Sequence, residues 1–544
     1  MNRRESGRQG APTLGEEMLW VLCNARLHAV DPALRSGSGF AAGAGRAAPV
    51  NRSQIGRWER GEVGVTPELV RRYETVLALP EGQLGCLMDT FARGHHPVRS
   101  TAAVRLRTPP DVDDTLELLE RALSTDRMTG PQWDRLSDNL GRMPHVLVRS
   151  ADWEALISRC LHELNVNLRL EYAQRAEAVA RLAGHPRSGP VVARMAEEMM
   201  GDPAAQFWSD TVSLLQFTDH PDAFRVLMTQ LRSPTGDDAL RACLLSLTSL
   251  VQTSELSPGA VAEAASLALG LLRDEGLPYR VHRGAANLLR AAGVPQPGRL
   301  ALALSSRDRA FAASILLEGR AVAPSLYRGA HKRIRGRLER RPGWSGEHEP
   351  VLDDVIRTAL AATNEEDRSV ALTILMILPQ GYDVAREYAV ELARGCAAAD
   401  QVAVQECLSV LSWLQAPEDT TLFLDMATSP ATPPDVVMEL GFVLGNGADQ
   451  AGPDDAVVAR VLARVAARIR DVVRGPERPG VADQLRGLVY VLGMRGRFDL
   501  VDALHADVSA ELGELRDAPN ARAARTSLDW WRALPAHVRP ARTP

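Results

Sequence analysis

A chain of 544 residues exceeds what one hydrophobic core can serve, so several domains or a repeat array are expected. Hydrophobic residues at 45% with aromatics at 5% fit an Ala- and Leu-rich helical protein, not a disordered or membrane-spanning one. A net charge of −5 excludes a surface that binds nucleic acid everywhere. Up to residue 108, fifteen arginines face ten acids, a surplus of five, so the remainder carries −10 and only the amino-terminal part is electrostatically suited to DNA. Of the 63 basic residues only Lys332 is lysine, a bias that points to a high-GC bacterial genome.

Residues 1–12 are polar and lack the apolar stretch that secretion needs; a disordered start is expected. Leu14 to Val30 carries Met18, Leu19, Leu22, Ala25 and Leu27 at helical spacing and predicts a helix. After a loop from Asp31 to Ser38, the segment Gly39 to Pro49 predicts a weak helix, because Gly43 and Gly45 each cost about 1 kcal/mol relative to Ala. Asn51 then caps a helix whose first turn presents Arg52, Ser53 and Gln54, with Arg57 one turn later. Ile55 and Trp58 fall on the opposite, apolar stripe, and Gly61 ends the helix. A short helix with one packed face and such a first turn suits the DNA major groove, since those side chains bond base edges and phosphates. Gln54, three after Asn51, can equally close a capping box. Trp58 is expected in the core, and Glu59 is expected to pair with an arginine of the same domain such as Arg26. Thr66-Pro67-Glu68 starts the next helix, with Leu69, Val70, Tyr73, Val76 and Leu77 as its apolar stripe. Gln83 to Ala92 predicts a fifth.

Val50-x-x-Ser53 to Ile55-Gly56-Arg57-Trp58-Glu59-Arg60-Gly61 resembles the recognition helix of the Cro/C1-type (XRE family) helix-turn-helix regulators. The resemblance covers residues 13–94 and implies a five-helix DNA-binding domain that meets paired half-sites as a dimer. The DNA-binding residues it nominates are Arg46, Asn51, Arg52, Ser53, Gln54, Arg57 and Arg60. Arg52, Ser53 and Gln54 would read bases, while Arg57, Arg46 and Arg60 would hold phosphate. The segment before Val50 departs from the family. Phe40 stands for its leading apolar residue, the usual phosphate-bonding Gln is Ala41 or Ala42, and the preceding loop is longer.

Residues 95–110, rich in Pro, Thr and Arg, read as a linker. From 111 to 534 helix follows helix without credible strand pairs, and 535–544 form a tail. Segments such as Asp237 to Leu245, Arg280 to Leu289, Asp308 to Leu316, Asp367 to Leu375 and Asp400 to Leu408 share a polar start followed by small and apolar residues. They resemble the inner helices of HEAT-like repeats, at irregular spacing, so the fold class expected is all-α: a helix-turn-helix head followed by a HEAT-like solenoid body. Such an array offers a concave face for a protein, peptide or small-molecule effector. Arg280, Arg283, Arg309, Arg368 and the basic run Arg328 to Arg341 are candidates to line it, the run being equally a solvated helix face.

The cysteines, Cys23, Cys86, Cys160, Cys243, Cys396 and Cys407, are scattered in apolar helical contexts and read as reduced core residues of a cytoplasmic protein, not a disulfide or zinc framework. His348 between two acids has no ligand cluster at metal-binding spacing. No phosphate loop, nucleophile elbow, zinc-protease or dinucleotide signature is present, so neither catalysis nor a cofactor is expected. The function expected is a sequence-specific transcriptional regulator, cytoplasmic and nucleoid-associated when DNA-bound, a homodimer or larger, with no membrane partner. The alternative is an interaction scaffold whose helix-turn-helix head is degenerate. For the dimer contact, Leu485, Leu488, Val489 and Leu492 with Asp529-Trp530-Trp531 are candidates, and core packing is the equal alternative.

Overall fold

The computed structural model describes residues 12–44, 50–95, 110–201, 208–253, 256–293, 310–318, 324–340, 350–362, 364–447, 456–476, 480–514 and 519–539. Among them every regular element is helical. The chain runs through α1 (Leu14–Leu27), α2 (Gly37–Ala44), α3 (Arg52–Glu59), α4 (Pro67–Val76), α5 (Gln83–His95), α6 (Val112–Leu123), α7 (Gly130–Gly141), α8 (Ser150–Asn165) and α9 (Arg169–Ala183). Next come α10 (Gly189–Gly201), α11 (Trp208–Ser213), α12 (Pro221–Arg232), α13 (Asp237–Thr253), α14 (Pro258–Arg273), α15 (Tyr279–Ala291), α16 (Ala310–Glu318), α17 (Pro324–Leu338) and α18 (Pro350–Ala361). The last are α19 (Glu365–Ile377), α20 (Gly381–Ala397), α21 (Gln401–Leu411), α22 (Thr420–Thr428), α23 (Pro434–Asn446), α24 (Ala456–Arg474), α25 (Val481–Met494), α26 (Phe498–Glu514) and α27 (Pro519–Ala533).

Local chemistry sets many of the helix starts. Thr13 and Glu16 close a capping box on α1, Thr129 and Gln132 one on α7, and Asp111, Ser257 and Asp400 cap α6, α14 and α21. α1 stops at Leu27, short of Val30, because the chain turns at His28 into a 3-10 turn, Pro32–Arg35, inside the expected loop. At the other end, α5 runs on past Ala92 to His95, where the linker was expected to begin. His95 is 2% exposed, and its Nε2 lies 2.7 Å from the Glu17 carboxylate of α1. Residues 1–11, 45–49 and 96–109 lie outside the described residues; so do Arg309, Trp344 and His348.

The apolar interior is divided in two. One core joins buried residues of α6–α16, from Leu118 to Leu316. The other joins α1–α5 to α17–α27, from Trp20 to Val538. Residues 12–95 therefore do not keep their core to themselves. The α5 helix packs on α1, α4, α9 and α19, and Asn24 of α1 accepts a 2.8 Å hydrogen bond from Gln380.

Between the two cores runs a polar seam. Arg283 pairs with Glu365 at 2.9 Å and Glu406 at 3.0 Å. Arg368 reaches Glu406 at 3.1 Å, and the Tyr279 hydroxyl donates to that same carboxylate at 2.7 Å. Arg280 pairs with Glu439, Arg486 with Asp238, and Arg93 with both Glu177 and Glu366. The segments beginning at Asp237, Arg280, Asp367 and Asp400 become α13, α15, α19 and α21, and they line this seam. Arg280 and Arg283 thus face carboxylates of the opposite core, and Arg368 braces the shared Glu406 from within its own core, rather than lining an open concave surface. Their charges are tolerable there only because they are paired.

Candidate nucleic-acid interface

The α3 helix has two faces of different character. Its inner face is held by packing and by one polar cluster. Ile55 is buried, and Trp58 is half-buried against the core beneath the Arg72 guanidinium, 5.8 Å from the ring centre. Glu59 accepts from Arg26 of α1 through both oxygens, at 2.6 and 2.7 Å, and from the Tyr73 hydroxyl of α4 at 3.2 Å. The expected Arg26–Glu59 pair therefore exists, and it ties three helices together. Glu59 holds the Arg26 guanidinium charged against the cost of burial, and burial with Glu59 nearby pushes the Tyr73 phenol upward.

Phe40 of α2 packs on Tyr73 with ring centres 4.5 Å apart. α2 comes close to its neighbours because it carries glycine. A Cβ on Gly39 would stand 1.9 Å from the Ala33 carbonyl oxygen, and one on Gly43 would be 3.0 Å from Leu34 and 3.3 Å from Val76. Gly39 and Gly43, though weak helix formers, are what let Phe40 and Ala44 bury completely. Tertiary packing offsets the local cost.

The outer face of α3 is solvated. Arg52, Ser53, Gln54 and Arg57 are all exposed, as are the N-cap Asn51 and the following Arg60. Asn51 and Gln54 form the capping box: the Gln54 amide donates to Asn51 Oδ1 at 2.9 Å, and the Asn51 amide donates to Gln54 Oε1 at 2.9 Å. This engages the Gln54 side-chain oxygen, while its side-chain nitrogen has no described partner and the residue is exposed. A cap and a base contact use different atoms of Gln54, so one does not exclude the other.

The outer face also carries an acid that the sequence reading did not weigh. Glu62 lies 3.3 Å from Arg57 and 2.8 Å from Arg60, and Arg60 draws its carboxyl below the usual range. Anything that takes these two arginines must displace Glu62. Arg46 falls outside the described residues. Gly61, with φ +72°, adopts the left-handed conformation that ends α3. Thr66 caps α4, with Pro67 at its first position, and Leu69, Val70, Tyr73 and Leu77 are buried as the stripe predicted.

The other basic candidates are engaged. Within α17, Arg333 pairs with Glu387 and Glu391, Arg337 with Glu387, and His331 with Asp353. Two arginines of the run are thus held by α20, Arg335 pairs with Glu339, and Lys332 and Arg340 stay exposed on the solvated side. Leu485, Leu488, Val489 and Leu492 are fully buried inside the chain, and Trp531 is 3% exposed, so core packing accounts for them. No described group of three or more His, Cys, Asp or Glu stands close enough to hold a metal ion. No family model matches the chain, and the comparison with curated proteins gives no match.

Proposed function

We propose that this protein is a sequence-specific DNA-binding regulator of transcription. In this reading α2 and α3 are a Cro/C1-type helix-turn-helix, α3 enters the major groove, and α6–α27 form a HEAT-like body that receives an effector or partner. One observation carries it: the first turn of α3 presents Arg52, Ser53 and the Gln54 amide to solvent, while the Arg26–Glu59–Tyr73 cluster fixes the other face. Arg52, Ser53 and Gln54 read bases, and Arg57 and Arg60 hold phosphate once Glu62 is displaced. The protein acts without catalysis or cofactor and works in the cytoplasm, on the nucleoid when bound. No described helix is long and apolar enough to cross a membrane.

One head meets few base pairs, and its non-specific affinity is about 10⁻⁴ to 10⁻⁶ M. Two heads on one site raise occupancy through effective concentration, so the DNA-bound form is a dimer or larger. With Leu485 to Leu492 committed to the core, that contact lies elsewhere on the surface. Light scattering on full-length protein tests this, and a monomer that binds a single site tightly would remove the dimer argument.

A second reading has an observation of its own. Glu62 already pairs with both Arg57 and Arg60, as it would in a head that no longer grips phosphate and serves a protein scaffold. A gel shift on fragments of the protein's own promoter, with intact protein and the Arg52→Ala, Gln54→Ala double variant, separates the two. Specific retention lost in the variant supports regulation; no specific retention by either supports the scaffold.

A further inference from the structure

The seam between the two cores encloses a cavity of about 280 Å³, adjoined by a second of about 110 Å³. We propose that the larger one binds a small organic anion: a single carboxylate or phosphate head on a flat aromatic body, with Arg241 as its counter-charge. The site is in the body, away from α3, and the proposal does not depend on the head reading DNA.

The charges around the cavity do not balance. Arg169, Arg241, Arg280 and Arg486 line it, against Asp238 and Glu439. Arg280 is taken by Glu439, and Arg486 by Asp238 at 2.7 Å and Asp483 at 2.6 Å. Arg169 lies over the Tyr382 ring, 5.0 Å from its centre. That leaves Arg241 of α13. It borders both cavities, yet it makes no hydrogen bond or ion pair with any described residue. Burial, with the Arg280 charge added, pushes its guanidinium downward, and the nearby Glu439, Glu365 and Asp238 charges only partly offset this. Arginine does not escape such a setting by losing its proton, so a half-buried guanidinium that lines a cavity with no carboxylate in direct contact can take an anion from outside. The surplus beside it is small, which fits a head of one or two negative charges better than a polyphosphate.

The walls specify the rest of the molecule. Tyr172 meets Trp413 edge-on at 5.6 Å, and Phe442 meets Tyr490 edge-on at 4.9 Å, so two aromatic pairs flank the space. Faces and edges of this kind receive a flat ring. The volume is at the small end for ligand sites and holds one or two fused rings. Arg169, in the cavity wall, has φ +52°, a conformation that costs energy in a residue with a Cβ and that recurs at binding sites.

The test is calorimetric titration of the intact protein with 1-naphthyl phosphate, 1-naphthoate, neutral 1-naphthalenemethanol and inorganic phosphate. At least one aryl anion should bind at one site per chain with Kd below about 1 mM, the two anions together identifying the preferred head. The alcohol and inorganic phosphate should bind at least tenfold more weakly. Arg241→Gln should weaken the anion at least tenfold, Arg241→Lys should retain most of the affinity, and the exposed Arg149→Gln should change nothing. Without ligand, Arg241→Gln should unfold at a higher temperature than the parent, because it removes an uncompensated charge. Failure of both aryl anions to bind, equal binding of the alcohol, or anion binding indifferent to Arg241→Gln would overturn the proposal. No DNA is present in these titrations, so their outcome leaves the reading of the head untouched.

Discussion

The arginines of α3 and those of the seam are the same residue in opposite circumstances. Arg57 and Arg60 are more than half exposed and share one carboxylate, Glu62, in high-dielectric surroundings. Arg283 and Arg368 are nearly closed from solvent, and both lean on Glu406, which is 1% exposed. A surface pair is worth about 0–1 kcal/mol and is exchangeable for another anion. Breaking a buried pair strands a charge and costs several times more. The first arrangement leaves arginine available to a partner such as DNA; the second uses arginine to lock two halves of a fold. Availability, rather than charge, separates a binding arginine from a structural one.

The largest effect should come from the seam. Glu406→Ala strands Arg368, leaves Arg283 with Glu365 alone and frees the Tyr279 hydroxyl, and it should lower stability by about 3–5 kcal/mol in urea unfolding of the intact chain. A loss below about 1 kcal/mol would mean the seam is wetter and weaker than its geometry suggests. Glu59→Ala in the head should cost roughly 2–3 kcal/mol, the range for hydrogen bonds to charged groups. That loss should appear first as faster hydrogen exchange in α3 and α4. Glu62→Gln should leave stability within about 0.5 kcal/mol. It should raise non-specific DNA affinity about threefold or more, and steepen its salt dependence by up to about one released counterion for each arginine freed. Unchanged DNA affinity would show that Glu62 does not compete. The smallest effect concerns buried bases without a carboxylate. Burial holds His162 and His185 below the usual imidazole value of 6.5. The unfolded chain takes up protons near pH 6.5 that the folded one refuses, so their contribution is full above that pH and falls as the pH drops through it. The unfolding midpoint should drop between pH 7.5 and 5.5, and less so in His162→Gln, His185→Gln.

Where the chain's behaviour is decided locally, the sequence was a good guide. The all-helical class followed from apolar spacing, and the boundaries of α3 and the start of α4 followed from Asn51, Gly61 and Thr66-Pro67. The Arg26–Glu59 pair was legible because an acid on a basic helix needs a nearby cation. The long-range relations were not legible. Phe40 rescues a glycine-rich helix only because α4 brings Tyr73 to it. Arg280, Arg283 and Arg368 have the polar starts of surface helices, and only the meeting of α13 and α15 with α19, α21 and α23 turns them inward. Nothing in its sequence neighbourhood marks Arg241, since what distinguishes it is that the carboxylates of distant helices near it, Glu365 and Glu439, are in direct contact with other arginines. Glu62 was in plain view two residues past Arg60; a charge count along 57–62 would have found it.

The central claim is that the exposed first turn of α3 reads DNA bases. Fluorescence anisotropy with full-length protein tests it most directly, comparing a labelled fragment of its own promoter with a scrambled duplex at several salt concentrations. Arg52→Ala should cost about 1–3 kcal/mol on the promoter fragment and much less on the scrambled one, with the salt slope nearly unchanged. Arg57→Ala should weaken both duplexes alike and flatten the slope. Equal losses on the two duplexes for Arg52→Ala, or no preference for the promoter fragment by the parent protein, would contradict the account.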